Sequence, residues 1–289
     1  MPADRLRGDA VAARVRDDVR ERVAALGERG VVPTLATVLM SDDDSDERFV
    51  ELKHEACEAV GVESRDVRVD PTAPPDRLHA AVERCSADDA VDAVFVQAPL
   101  PDHVPEMEVR TRLAPEKDVD GFHPETLGRL VAGDPTFVPA TTAAVGRLLD
   151  AHGLPVAGRE VVVVGRSATI GRPLANHLLR RGTGGDATVT VCHSRTADLA
   201  AHTRRADVLV TAAGVPGLVD GSMLSPGAVV VDVSANRRET DDGVEVVGDV
   251  AFESASEVVG AITPVPGGVG PVTLACLLGN VVLAAERRA

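Results

Sequence analysis

Three features predict an α/β fold in two domains, the second built on a doubly wound parallel sheet. Apolar runs of strand length alternate with helical periods along much of the 289-residue chain, as in a parallel sheet with helical crossovers. Val161–Val164 sets four β-branched residues in a row and runs straight into Gly165, as a strand buried on both faces does. A chain of this length can also bury two separate cores. We therefore expect an N-terminal α/β domain over residues 1–140 and a Rossmann-type domain over residues 141–270, with a closing helix, residues 271–289, returning to brace the first.

In chain order, Leu6–Leu26 has amphipathic helical spacing and ends at Gly27 and Gly30. Pro33–Met40 reads as a strand. Ser41–Asp46 holds four aspartates in six residues; a solvated cap before a helix has this composition. The helix Glu47–Val60 follows, closed by Gly61. A short strand at Val67–Val69, a helix at Leu78–Cys85 and a buried strand at Ala93–Gln97 come next. Pro115–His123 is too rich in Pro, Gly and Asp for regular structure. Thr142–Asp150 starts on a capping residue and reads as the helix leaving the first domain. After Gly165 a helical pattern runs from Pro173 to Arg180 and stops at Gly182. Strands are then expected at Ala187–Cys192, Val208–Thr211 and Ala228–Val233, and Pro271 suits the first turn of the closing helix Val272–Glu286.

Composition narrows the function. A net charge of −15 makes a poor partner for nucleic acid. No apolar run free of charge is expected to span a bilayer, and the first residues carry neither a secretory nor a lipidation signal, so a cytoplasmic location without a membrane partner is expected. Cys57, Cys85, Cys192 and Cys276 form no Cys-x2-Cys pair, which predicts buried reduced thiols and no metal site. Of the 30 basic residues only Lys53 and Lys117 are lysine. Such scarcity fits a high-salt cytoplasm or a GC-rich genome, and the composition does not choose between them. It does single out each lysine, because an ammonium can lose its proton where a guanidinium cannot.

Phe49 and Lys53 lie four apart on one helical face. Either Phe49 is core with Lys53 snorkelling over it, or the pair belongs to a site. Gln97 ends a buried strand and points to where open α/β sheets bind ligands; a turn amide bonding its own loop is the alternative. Lys117, Asp118 and Asp120 share one loop, either as a surface ion-pair cluster or as a polar clamp for a ring rich in donors. In the second domain Gly165, Arg166 and Ser167 form a strand-to-helix turn of the kind that takes phosphate, although a bare βα turn has the same pattern. Small residues at further strand ends, Ala212–Gly214 and Ser234-Ala235, suit a dinucleotide lying across the sheet edge. Ser194 and Arg195 stand where an NAD site places an acid, which favours NADP. Thr263–Thr273, with Pro266, Gly267 and Gly268, is a rigid loop poor in side chains that can lay its backbone against a flat ligand.

These pieces, in this order, resemble the bifunctional methylenetetrahydrofolate dehydrogenase/methenyltetrahydrofolate cyclohydrolase family. The resemblance rests on Phe49 and Lys53, on Val96–Pro101, on Lys117–His123, on Val164–Ser167 and on Thr263–Pro271. It implies a folate cleft between the two domains, NADP as cofactor and a homodimer. It implies that Lys53 drives hydrolysis, that Gln97 assists by hydrogen bonding, that Asp120 holds the pterin and that Phe49 stacks on the benzoyl ring. It places Pro266–Gly268 against the substrate and Gly165, Arg166, Ser167, Ser194, Arg195 and Ala235 against NADP. The chain departs from the family at Phe49, where tyrosine is usual, at Asp46, where serine is usual, at Ala140, where the family has a cysteine, and in Asp232–Asn236 at the nicotinamide end. The lost hydroxyl at Phe49 keeps open a dehydrogenase with weak hydrolysis. A shikimate-type reductase and a non-catalytic folate- or nucleotide-binding regulator are the other readings weighed.

Overall fold

The computed structural model describes residues 3–240 and 243–289. In chain order its elements are β1 (Asp4–Arg5), α1 (Asp9–Gly27), β2 (Thr34–Leu39), α2 (Asp44–Glu58), β3 (Glu63–Arg68), α3 (Pro75–Ala87), β4 (Ala93–Val96), α4 (Glu106–Arg112), α5 (Pro124–Ala132) and α6 (Ala140–Ala151). They continue with β5 (Glu160–Val164), α7 (Gly171–Leu179), β6 (Thr188–Cys192), α8 (Leu199–Thr203), β7 (Val208–Thr211), β8 (Val229–Asp232), β9 (Asn236–Thr240), β10 (Gly243–Val247), α9 (Phe252–Ser256), β11 (Ala261–Ile262) and α10 (Val269–Arg288).

One compact unit comprises Ala13–Ala140 and Leu274–Ala289. Its parallel sheet has the order β3-β2-β4. Central β2 is buried along its whole length, and Ala36, Val38 and Met40 pack against Leu78, Ala81 and Val82 of α3. The polar edge strand β3 starts four residues before the expected Val67. Edge pairing with β2, not apolar periodicity, makes it a strand. The helix α10 is anchored here: the Asn280 side-chain amide donates to Val119 O at 2.8 Å and Val138 O at 2.9 Å. Arg22 makes a two-pronged bond to Glu286 at 2.8 and 2.7 Å. By length and composition alone α10 could cross a membrane, which corrects the expectation that no stretch is apolar enough. Its apolar surface serves a core instead, since more than half of it is buried.

The other unit comprises Met1–Ala12 and Thr141–Thr273. Six parallel strands run in the order β1-β11-β8-β7-β5-β6. The chain places β6 on one side of β5 and then β7 and β8 on the other, so the direction of winding reverses between β5 and β7. That reversal is the switch point at which doubly wound sheets bind ligands. Buried β5, β7 and β8 supply Val162, Val164, Leu209 and Val230 to the core. The first residues of the chain supply the edge strand β1. Gly8 follows it, donating its N–H to Gly267 O at 2.9 Å; a Cβ there would sit 2.0 Å from Gly268 O, so the crossing admits only glycine. The hairpin β9–β10 is exposed along most of its length, so its short Val-Glu-Val alternation marks no buried face.

Candidate active site

The acidic turn before α2 has two jobs. Asp43 is the N-cap, its carboxylate accepting from Ser45 N at 2.8 Å, so α2 begins inside the acidic run, three residues ahead of the expected Glu47. Asp46, in the first turn, is buried instead of solvated. It accepts from Ser41 Oγ at 2.7 Å and lies 3.5 Å from Gln97 Nε2.

Two turns along α2, the Lys53 ammonium donates to Gln97 Oε1 at 3.0 Å and to Phe49 O at 3.2 Å. It also stands 4.4 Å from the Phe95 ring centre and 5.9 Å from that of Phe49. Gln97 leaves the carboxyl end of β4 and is buried. Its amide N–H2 points to Ala98 O at 2.7 Å and towards Asp46, which turns the amide oxygen to the lysine. Phe49 is 52% exposed, so it is not core; it presents an open aromatic face beside the amine.

Electrostatics set this cluster apart. Burial lowers Lys53 from the ordinary lysine range to about 8, against the opposing pull of Asp120 and Asp46. Burial, helped by the neighbouring Asp118, pushes Asp120 up to about 7, with Lys53 and Arg110 pulling the other way. Lys117, Asp118 and Asp120 therefore divide. Lys117 is buried and donates to Asp88 O at 2.7 Å, a structural bond. Buried Asp118 accepts from Phe122 N at 3.0 Å and His123 N at 2.7 Å, which pins the loop. Of the three, Asp120 alone is only partly buried as a residue, and its carboxyl is the one pushed strongly up. A cavity of about 30 Å³ behind it, lined by Gln97, Arg110 and Asp118, has room for a water and not for a ring.

The other unit carries the remaining predicted residues at strand ends. Gly165 follows β5 with φ +133°, and a Cβ there would lie 2.2 Å from Ala212 O. Ser167 Oγ accepts from Ile170 N at 3.1 Å and Gly171 N at 3.3 Å, capping the start of α7. Arg166, Ser194, Arg195 and Ala235 are all exposed. Among the described residues neither Arg166 nor Arg195 forms an ion pair, so both guanidinium groups are available to an anion. Pro266 is exposed, Gly267 has φ +99°, and Gly268 is buried, where a Cβ would come 2.6 Å from Pro264 O. Gly268 thus has a packing reason of its own to be glycine.

Comparison with known proteins shows the family. Residues 6–120 match the catalytic domain of tetrahydrofolate dehydrogenase/cyclohydrolase, and residues 139–289 match the NAD(P)-binding domain of the same enzymes. The chain belongs to the tetrahydrofolate dehydrogenase/cyclohydrolase family. The bifunctional protein FolD of Natronomonas pharaonis is 54% identical, over 96% of this chain and 95% of its own; that of Halobacterium salinarum is 53% identical, over 97% and 95%. Among solved structures, the bifunctional FolD of Campylobacter jejuni superposes with a TM-score of 0.93 at 38% identity, covering 98% and 99% of the two chains. The Trypanosoma brucei enzyme, solved with NADP and an inhibitor, gives 0.93 at 36%, covering 99% and 98%. A shikimate dehydrogenase from Listeria monocytogenes, with a TM-score of 0.54 at 12% identity, shares the fold alone.

The strand-end residues fit a phosphorylated dinucleotide. Gly165 leaves no side chain at the switch point, and two exposed arginines without carboxylate partners flank it. The acidic turn reads in sequence as a solvated cap, whereas Asp46 is buried against Ser41 and Gln97.

Proposed function

We propose that this chain oxidises 5,10-methylenetetrahydrofolate to 5,10-methenyltetrahydrofolate with NADP and then hydrolyses the product to 10-formyltetrahydrofolate. The carrying observation is the Lys53–Gln97 pair, an amine lowered to about 8 beside an amide that accepts its hydrogen bond. In the oxidation the folate nitrogens stabilise the cation that forms at the one-carbon bridge, so no side-chain base is needed. NADP supplies the two-electron acceptor when bound. Gly165, Arg166, Ser167, Ser194, Arg195 and Ala235 would hold it, with the guanidinium groups meeting phosphate. Pro266, Gly267 and Gly268 offer backbone to a flat substrate.

Hydrolysis needs a proton acceptor near neutral pH. Water adds to the methenyl carbon and gives a proton to the neutral Lys53 amine. The adduct becomes a formyl group as its bond to N5 breaks, and N5 takes a proton in return. Gln97 holds the amine in place, and Asp46 holds Gln97. Asp120, when ionised, accepts from the N–H groups of the pterin, and Phe49 stacks beneath the aromatic part of the folate. A lysine at about 8 keeps roughly a tenth of its amine neutral at pH 7; an arginine keeps none.

A cytoplasmic homodimer without nucleic-acid or membrane partners completes this reading. The net charge of −15 supports the lack of a phosphate-backbone partner. The bonds from Asn280 and Glu286 to their own unit support a core role for α10. To test the reading, methylenetetrahydrofolate and NADP are mixed with the protein, and reduced cofactor and then loss of methenyl absorbance are followed. Lys53→Arg is expected to keep oxidation within a few-fold and to lose hydrolysis by about 100-fold or more. Hydrolysis by the variant at the parent's rate would remove Lys53 from the mechanism.

A further inference from the structure

Asp249 is fully buried in the parallel-sheet unit, at the head of the turn that follows β10. Five donors converge on its carboxylate. After β7 the chain turns through Gly214, with φ +70°, and offers consecutive amides: Ala213 N at 2.6 Å and Gly214 N at 3.3 Å to Oδ2, and Val215 N at 2.8 Å to Oδ1. From the end of β8, Ser234 Oγ donates to Oδ2 at 2.7 Å and Asn236 Nδ2 to Oδ1 at 3.0 Å. Successive amides that converge in this way form a nest for an anion. Here the chain supplies the anion itself. Among the described residues Asp249 has no lysine, arginine or histidine partner, so these neutral donors are its whole solvation.

The location gives the nest its meaning. The turn after β7 is one wall of the crevice at the switch point, and the turn after β5 is the other: the missing Cβ of Gly165 would touch Ala212 O at 2.2 Å. A second buried carboxylate keeps Asp249 in line. Asp232 accepts from Ser234 N at 3.1 Å and Val250 N at 2.8 Å, and Gly248 lies so close that a Cβ would be 2.0 Å from Asp232 Oδ2.

We infer that Asp249 is a positioning residue for the dinucleotide site. By filling the nest after β7 it fixes one crevice wall to the end of β8, and it leaves the turn after β5 as the phosphate-binding turn. This rests on the cofactor reading above. The residue touches neither reactant; it acts through the Ala212–Val215 turn and through Ser234 and Asn236.

Asp249→Asn keeps the shape but turns an acceptor into a donor facing amides, and Asp249→Ala empties the nest. In both, calorimetric NADP affinity is expected to fall about tenfold or more, as losing charge-assisted bonds implies. Hydrogen exchange at Ala213, Gly214 and Val215 is expected to quicken. Methenyltetrahydrofolate hydrolysis, which uses Lys53, stays within about twofold. Formate, a bare carboxylate, restores NADP affinity and exchange protection to Asp249→Ala and does nothing for the parent. A merely structural defect would lower the melting temperature and hydrolysis together with NADP affinity, whereas the positioning role confines the loss to the cofactor and to exchange at these three amides. If the Asp249 variants fail to fold, Ser234→Ala with Asn236→Ala cuts only the tie to β8, and a several-fold loss of NADP affinity in that folded double variant supports the inference. Parent-like NADP affinity in a folded variant overturns it. A parent that binds no NADP overturns the cofactor reading and this inference together.

Discussion

Lysine and arginine carry the same charge, and the two lysines of this chain illustrate two separate reasons for keeping one. Lys117 is buried with its compact head on the Asp88 carbonyl. Lys53 keeps partial exposure, faces Gln97 and is lowered to about 8. Only the second is poised to gain and lose a proton. If the neutral amine is the acceptor, hydrolysis rises with pH through about 8 and levels off above it. If Asp120, pushed up to about 7, ionises to hold the pterin as proposed, KM for the folate falls as pH rises through that value. Initial rates across this range check both limbs, and in Lys53→Arg the upper limb should vanish. At the cofactor, Arg195→Asp is expected to move preference from NADP towards NAD by about tenfold or more, since a carboxylate repels the 2′-phosphate and suits a ribose hydroxyl; unchanged relative affinities would refute the phosphate role. Lysine, glutamine and arginine were legible as candidates because their type and place along the chain already narrow their chemistry. Asp46 and Asp249 were not, because an aspartate in a turn reads the same whether water or five protein donors surround it.

Strong periodicity decided which elements could be read. The four valines of β5, the runs in β7 and β8, and the helices α1, α6 and α10 carry their burial in their own residues. The edge strand β3, the hairpin β9–β10 and the short helix α4 do not; sheet pairing or packing against neighbours makes them. α10 links element to site. Asn280 holds Val119 O and Val138 O with one amide, and Val119 immediately precedes Asp120. Asn280→Ala strands two carbonyls, so a loss of about 1–3 kcal/mol is expected in denaturant unfolding. Because the Asp120 loop loosens, KM for the folate should rise while NADP affinity holds. A variant with parental stability and parental KM would show that Asn280 is dispensable.

At the scale of the whole molecule, charge is the leading variable. The chain carries 45 acidic against 30 basic residues. Exposed ion pairs such as Arg48–Glu55 and Arg65–Asp88 each contribute little, and the net excess of −15 is mutual repulsion. Raising KCl from about 0.1 M to about 2 M shortens the screening length several-fold, so repulsion should fade faster than pairing is lost. The melting temperature is expected to climb by several degrees, followed by circular dichroism; a fall would mean that the pairs outweigh the excess.

The sequence by itself determined the α/β class, the order of the main strands, the glycine turn after β5 and the two lysines worth asking about, because these live in local periodicity and residue type. The tertiary structure decided which of those residues meet and how their protons are held. Lys53 and Gln97 are 44 residues apart, and Asp249 reaches back 35 residues to Gly214. Proximity and burial at such separations arise only when distant strands pair, and burial is what moves an amine to about 8 and closes an anion nest with the chain's own carboxylate.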